Sequence, residues 1–316
     1  MEIITSLQQL HNYAAQGQGC ALALGTFDGL HLGHQEVILA AKQFAETLGL
    51  KLAVFTFSNH PMQYINPERI PPMLLTLEDK LKVLEGLGVE LLLDLPFDEE
   101  LANLSPEAFL DTLSPLSCQA IAVGENFTYG YRGLGNSLSL EQAAAERGFR
   151  LRVCPLVKWG DVVISSTLIR HLLVEGEVAA AAARLGRNYM LRGRVAHGNE
   201  RGRLLDFPTA NIELPELRQK VRMTIPAGGV YAVKALVRGK TYSGMANIGK
   251  NPTYGDVEDL RLETHIFAFQ ENIYGEELKV EFVERLRGEI KFADVQQLQE
   301  QLTKDKAACR KIFNLD

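Results

Sequence analysis

Gly25-Thr26-Phe27-Asp28-Gly29-Leu30-His31-Leu32-Gly33-His34 decides the fold of the first half of this 316-residue chain. An apolar run, Cys20 to Leu24, precedes it and reads as a buried strand. An amphipathic run, Gln35 to Leu48, follows and reads as a helix, with Val37, Ile38, Ala41, Phe44, Ala45 and Leu48 recurring at three- and four-residue steps. The stretch is therefore the turn from a strand into a helix. Such a turn aims free backbone N–H groups, and the positive end of the helix dipole, at whatever sits above it. The glycines let a phosphate approach the backbone, and His31 and His34, three apart at the helix start, can both face it.

Outward from this turn, residues 1–186 alternate strand-like and helix-like segments. Lys51 to Phe57 is a short β-rich run, closed by Pro61 and a proline-rich loop. Thr76-Leu77-Glu78-Asp79 opens a helix with acids in its first turn. Glu90 to Leu95, Gln119 to Val123 and Arg150 to Cys154 read as further strands. Ser105-Pro106-Glu107 supplies a cap, a proline at the first helical position and an early acid. Ser139-Leu140-Glu141-Gln142 matches a capping box. Strands alternating with helices imply a parallel sheet covered on both faces, with ligands beyond the carboxyl ends of its strands.

The pattern then changes. Glu177 to Gly186 is an alanine-rich helical segment, expected to close the first domain and connect it to the second. From about Tyr189 the chain is β-rich. Gly229–Val237, Thr241–Ile248, Leu260–Phe269 and Leu278–Leu286 read as strands, and Arg238-Gly239-Lys240 as a hairpin turn. A small barrel or sandwich follows. From Asp294 the tail reads as a long helix whose Val295, Leu298 and Leu302 are expected to lie against the barrel.

Composition sets bounds. The chain is long enough for two domains. It is 46% hydrophobic and 23% charged, ordinary for a globular protein. A net charge of −6 argues against a general nucleic-acid binder. Cys20, Cys118, Cys154 and Cys309 are scattered, with no Cys-x-x-Cys pair, and read as free thiols in a reducing compartment. No basic-then-apolar leader or membrane-length run is present in the sequence, so the expected setting is the cytoplasm, away from membranes.

Three further clusters suit phosphate. Ile164-Ser165-Ser166-Thr167-Leu168-Ile169-Arg170 puts hydroxyls at a helix start and a guanidinium one turn inside; taken alone, the stretch reads more readily as a serine cap beside a surface arginine. Gly124-Glu125-Asn126-Phe127-Thr128-Tyr129-Gly130 directly follows a strand. His60, in Thr56-Phe57-Ser58-Asn59-His60-Pro61, is either a ligand contact or a structural loop histidine.

The opening stretch resembles the His-x-Gly-His signature of nucleotidyltransferases, in the longer form Gly-x-Phe-Asp-Gly-x-His-x-Gly-His of bacterial bifunctional riboflavin kinase/FMN adenylyltransferase, or FAD synthetase. Ser165 to Arg170 resembles that family's Ser-Ser-Thr-x-Ile-Arg, residues 124–130 its Gly-x-Asp/Asn-Phe-x-Phe-Gly loop, and Thr56 to Pro61 its Thr-Phe-x-Pro-His-Pro. Tyr129 and Asn59 depart from it. The resemblance implies attack of the FMN phosphate on the α-phosphorus of ATP with loss of pyrophosphate. His31 and His34 would serve the α- and β-phosphates, and Arg170 the leaving pyrophosphate. Gly25, Phe27, Asp28, Asn126, Ser166 and Thr167 would bind nucleotide or flavin.

The second half resembles the riboflavin kinase of the same family. Gly193-Arg194-Val195-Ala196-His197-Gly198 leads to Gly202-Arg203-Leu204-Leu205-Asp206-Phe207-Pro208-Thr209-Ala210-Asn211. A glycine-rich segment of this kind can form a backbone nest for phosphate. Thr209 and Asn211, two apart on extended chain, share a side and offer hard oxygens suited to Mg²⁺. The family implies ligand contacts at Gly198, Arg203, Thr209, Asn211 and Arg287, with Thr209 and Asn211 on the metal. Ala246-Asn247-Ile248-Gly249 and Pro252-Thr253-Tyr254-Gly255 resemble another of its motifs. In Leu262-Glu263-Thr264-His265-Ile266-Phe267-Ala268-Phe269, alternation puts Glu263, His265, Phe267 and Phe269 on one face. The resemblance makes Glu263 the base that takes the riboflavin 5′-hydroxyl proton as that oxygen attacks the γ-phosphorus of ATP. Asp206 and Ala268 stand where the family has glycine and aspartate. A carboxylate at 206 would either repel phosphate or face solvent.

The expectation is thus a two-domain enzyme: a Rossmann-like nucleotidyltransferase sheet in 1–186, and a small Greek-key β-barrel with a long terminal helix in 187–316. Its ligands are riboflavin, FMN, FAD, ATP and Mg²⁺, and its state a monomer or weak homo-oligomer. Rival readings are an enzyme with one silent half, a flavin- or nucleotide-binding module without turnover, and adenylyl transfer to another phosphate such as phosphopantetheine.

Overall fold

The computed structural model describes residues 1–13, 18–197, 207–213, 223–251 and 259–315. The chain divides into two compact units, Met1–Ser166 and Thr167–Asp316.

The first unit is a six-stranded sheet: β1 (Glu2–Ile4), β2 (Cys20–Leu24), β3 (Lys51–Phe57), β4 (Leu91–Leu95), β5 (Cys118–Gly124) and β6 (Arg150–Cys154). Every pairing is parallel, in the order β1-β4-β3-β2-β5-β6. Alternate residues of the central strands enter opposite cores. Leu22, Leu24, Phe55, Leu93 and Ile121 pack on one face. Ala21, Ala23, Val54, Leu92 and Ala122 pack on the other, under the helix Leu32–Leu48. Burial on both faces is why these strands read as unbroken apolar runs. From β2 the chain proceeds one way to β3 and β4, and from β5 the other way to β6. The carboxyl ends of β2 and β5 therefore border the switch point where open parallel sheets bind ligands.

Boundaries agree closely, with instructive exceptions. The helix after the opening stretch begins at Leu32, not Gln35, because His31 itself is the N-cap. The capping box expected at Ser139 sits three residues earlier. Asn136 is the N-cap, and Ser139 returns the bond to its backbone N–H. The Glu2–Ile4 edge strand, three residues long, carries too little periodicity to be read from sequence.

In the second unit, β7 (Tyr189–Ala196), β8 (Ala210–Glu213), β9 (Gly229–Val237), β10 (Lys240–Asn251), β11 (Asp259–Ile266) and β12 (Glu277–Arg287) form a closed barrel. Its order is β7-β8-β11-β10-β9-β12, antiparallel throughout. β9, β10 and β11 run as consecutive neighbours and β12 returns beside β9, which is a Greek key. The β9–β10 hairpin turns on Arg238 and Gly239, both at positive φ (49° and 75°), as a two-residue primed turn requires. The alanine-rich helix Val178–Leu185 packs on β12.

The terminal helix, Val295–Ile312, starts at the expected cap, Asp294, whose carboxylate accepts from the Gln297 N–H. Its inward seam differs from the expected one. Val295 is 61% exposed, whereas Leu302, Cys309 and Ile312 join Phe207, Ala232, Met245 and Phe267 outside the barrel. Asp305 lies in that seam, buried, because the Arg287 guanidinium meets both its oxygens (3.1, 3.0 and 2.7 Å). An apolar count cannot see a seam whose centre is a paired carboxylate.

All four cysteines are free. Burial, with Asp305 beside it, pushes the Cys309 thiol up to about 12. Cys20 and Cys118, opposite each other on β2 and β5, hold their sulfurs 3.1 Å apart; this bond and burial raise the Cys118 pKa.

Candidate active sites

The first site grows from the turn after β2. Phe27, Gly29 and Leu30 have positive φ of 47°, 81° and 43°. For the two non-glycine residues this costs on the order of 1–2 kcal/mol each. Both side chains are fully buried, which returns roughly 1.5–3 kcal/mol apiece. Glycines make the turn possible. A Cβ on Gly25 would lie 2.9 Å from the Phe27 ring, and one on Gly29 would lie 2.7 Å from Leu74. Left-handed residues in succession shape a backbone concavity of the kind that receives anions.

The buried His31 caps the next helix, and its Nδ1 accepts the His34 N–H at 3.3 Å. An acceptor at Nδ1 places the proton of a neutral ring on Nε2. The two imidazoles stack at 3.6 Å and 19°, and the Phe27 edge meets His34 at 5.4 Å. A Cβ on Gly33 would crowd the His31 ring at 3.2 Å. Asp28 is buried, and its carboxylate accepts the Leu74 N–H at 3.2 Å. Ser166 Oγ donates to the Asp28 carbonyl at 2.8 Å, tying the hydroxyl motif to the turn. Thr56 Oγ1 likewise donates to the Thr26 carbonyl.

The structure places the other expected residues as follows. Asn126 is exposed on the turn after β5, across the switch point from the β2 turn. Tyr129 puts its extra hydroxyl 3.2 Å from Ser139 and stacks on Phe127. Asn59 exchanges two bonds with the Phe97 backbone, bridging the loops after β3 and β4. His60 Nδ1 accepts the Met62 N–H, which makes it a loop-shaping residue. Thr167 and the half-buried Arg170 lie on the helix Ser166–Val174, beyond the unit boundary.

The second site is built on strand faces. Leu262 and Thr264 point into the barrel and are fully buried, so Glu263 points out. Asn211 on β8 and Asn247 on β10 are its register partners on either side. Directly paired residues on one face stand about 4.5–5.5 Å apart. Glu263 is thus flanked by two amides, and Thr209 lies two residues before Asn211. The Asn211 Oδ1 is buried with no hydrogen-bond partner among the described residues. A buried carbonyl oxygen left in that state suits a hard cation. Among the described residues no group of three or more His, Cys, Asp or Glu is placed to hold a metal.

Asn247 and Glu289 extend this face. A Cβ on Gly249 would lie 3.0 Å from Asn247 Nδ2 and 3.1 Å from Glu289 Oε1. Sequence reading gave Asn247 no role, although its register with Glu263 is the signal that would have found it. His265 is buried, and its Nδ1 is 2.8 Å from the Pro208 carbonyl. Burial lowers its pKa below the ordinary value, the Lys306 ammonium adds to this, and the Pro208 bond opposes it. Arg287 is committed to Asp305, so in this structure it fastens the terminal helix. Gly198, Arg203, Asp206 and the 252–255 motif lie outside the described residues.

Residues 14–168 match the family model for FAD synthetase, and residues 185–313 match that for riboflavin kinase. The chain is 41% identical over 297 residues to a bifunctional riboflavin kinase/FMN adenylyltransferase of Bacillus subtilis, covering 93% of this chain and 92% of that one. It is 37% identical to the protein of the same name from Haemophilus influenzae, covering 98% and 99%. A solved structure described as a macrolide-efflux protein from Streptococcus pneumoniae superposes with a TM-score of 0.88 at 32% identity, over 98% of both chains. No described helix of the present chain is long and apolar enough to cross a membrane.

Proposed function

The chain belongs to the bifunctional riboflavin kinase/FMN adenylyltransferase family, and from that premise we propose how its residues divide the work. The enzyme phosphorylates riboflavin to FMN with ATP, and adenylylates FMN to FAD with release of pyrophosphate. We assign adenylyl transfer to the motifs of 1–186 and phosphoryl transfer to those of 187–316.

In adenylyl transfer an FMN phosphate oxygen attacks the α-phosphorus of ATP, and the bond to pyrophosphate breaks. No proton need leave a carbon or hydroxyl, so the protein's task is to place two anions and neutralise their charge. The β2 turn and the helix start supply backbone donors, and His31 Nε2–H adds one more. Ser166 and Thr167 line the helix start, with Arg170 on the leaving pyrophosphate. Asn126 meets nucleotide or flavin from across the switch point. Asp28 acts through its carboxylate, holding Leu74 and hence the turn.

In phosphoryl transfer Glu263 takes the 5′-hydroxyl proton while that oxygen attacks the γ-phosphorus. Asn211 and Asn247 hold the carboxylate side of the face in order. Thr209 and Asn211 would hold Mg²⁺, which would spread the charge of the phosphates. The observation that carries this reading is the file Asn211–Glu263–Asn247, with the buried Asn211 oxygen at its end.

The test is a time course of riboflavin, FMN and FAD, separated by chromatography, with ATP and Mg²⁺. FMN appearing first and FAD second is the expected result; FMN alone confines catalysis to the barrel unit, and conversion of added FMN but not of riboflavin confines it to the other. We further place the enzyme in the cytoplasm as a monomer or weak homo-oligomer that binds neither nucleic acid nor membrane. The net charge of −6 supports the former exclusion, and sedimentation checks the state.

A further inference from the structure

We propose that His265 is a positioning residue for phosphoryl transfer, a strut that holds the segment bearing Thr209 and Asn211 against the strand bearing Glu263. The inference rests on the roles given above to those three residues.

The β8–β11 ladder runs from Ile212 opposite Leu262 to Ala210 opposite Thr264. One further step sets Thr209 opposite His265, beyond the last register pair. Pro208 has no N–H to continue the ladder. The chain at Pro208–Thr209 thus leaves the sheet just where a ligand must be held to a fraction of an ångström. The His265 ring supplies the missing link, since its Nδ1 is 2.8 Å from the Pro208 carbonyl. A carbonyl only accepts, so Nδ1 carries the proton.

The strut is itself rigid. His265 is 6% exposed and sits edge-on to Phe207 (5.4 Å, 61°) and Phe267 (5.6 Å, 63°). Phe207 and Phe267 belong to the apolar cluster under the terminal helix. Lys306 of that helix lies over the Phe207 ring at 5.4 Å. The base and the strut are two residues apart on one strand face, so a single rigid element carries both. Positioning of this kind is sensitive, because a misplacement near 1 Å can cost on the order of a hundredfold in rate.

The test compares His265→Asn with His265→Leu in the full chain. The two side chains have nearly the same size and both lose the ring, so a folding loss common to both cancels. Only Asn keeps an N–H on the branch that carried Nδ1. Asn211→Ala and wild type run alongside. The readouts are kcat and KM for FMN formation, FMN-to-FAD conversion, and amide exchange of residues 207–213 by mass spectrometry.

For His265→Leu we expect kcat for FMN formation to fall about tenfold to a hundredfold, with KM for riboflavin within about twofold. Exchange at 209–211 should quicken, and FAD formation from FMN should stay at the wild-type rate. His265→Asn should recover most of the kcat and the protection. Equal behaviour of the two variants, or wild-type exchange in His265→Leu, overturns the strut. If Asn211→Ala leaves FMN formation intact, the ligand reading fails instead, and the strut fails with it only where exchange is also unchanged.

Discussion

The sites proposed in the two units would handle ATP with different parts of the protein. In the sheet unit the site lies on turns beyond strand ends: left-handed backbone at Phe27, Gly29 and Leu30, and a helix start capped by His31. In the barrel unit it lies on strand faces, where register sets Asn211, Glu263 and Asn247 side by side. Adenylyl transfer moves a group between two anions and needs donors, which bent backbone supplies. Riboflavin gives up a hydroxyl proton as its oxygen attacks, so the proposed kinase site uses a carboxylate fixed by a ladder. The difference teaches that local backbone shape serves charge neutralisation, whereas sheet register serves proton transfer.

The sharpest way to break that contrast is Glu263→Gln. The amide keeps the size and the register but cannot take a proton. FMN formation should fall by about 10²–10⁴-fold while FMN-to-FAD conversion is retained. Parallel assays with riboflavin and with FMN decide it. Equal loss of both activities would mean one shared site.

His31→Asn separates capping from chemistry in the sheet unit. Asparagine is a good N-cap and accepts the His34 N–H, so stability should change little. It lacks the Nε2–H donor, and FAD formation should drop roughly 10²–10³-fold, as when a single donor to a developing anion is lost. FMN formation from riboflavin should be untouched. Wild-type FAD formation in this variant would reduce His31 to a cap.

These two sites were not equally legible. The β2 turn was readable because its residues are contiguous: glycine spacing, two histidines and flanking periodicity all fall within one stretch. The parallel strands were readable because burial on both faces makes them uniformly apolar. The barrel face was harder. Glu263 and Asn211 are far apart in sequence, and only register shows that Asn247 completes the file. His265 looked like one more residue of an alternating strand, and its bond to Pro208 is a tertiary fact. Asp305 was invisible for a related reason, since a carboxylate reads as surface until its arginine is found.

Each unit also holds a buried ion pair, and the Lys80–Asp94 pair of the sheet unit is more deeply buried than the Arg287–Asp305 pair of the barrel unit, whose side chains are 15% and 5% exposed. Lys80 and Asp94 meet at 3.4 Å with side chains 5% and 4% exposed, and Lys80 also donates to the Phe57 carbonyl at the end of β3. Lys80→Met leaves Asp94 buried without its cation, a change that typically costs about 3–5 kcal/mol. FAD-forming activity should then be lost at lower urea than FMN-forming activity, because the damage lies in the sheet unit alone. A matched loss of the two would show that the units unfold together.

The smallest effect tests whether strained backbone belongs only to the first site. Ala268, just after β11, has φ 52° and is exposed. Unlike Phe27 and Leu30, it buries no side chain to offset the cost of that conformation. Glycine adopts it freely, so Ala268→Gly should stabilise the barrel, by about 0.5–1 kcal/mol after glycine's own loss of chain entropy. Denaturant unfolding followed by FMN-forming activity measures the gain, and kcat for FMN formation should stay the same. A fall in kcat without a fall in stability would mean that the kinase, too, depends on a bent backbone held against its preference, and the contrast between the two sites would be one of degree.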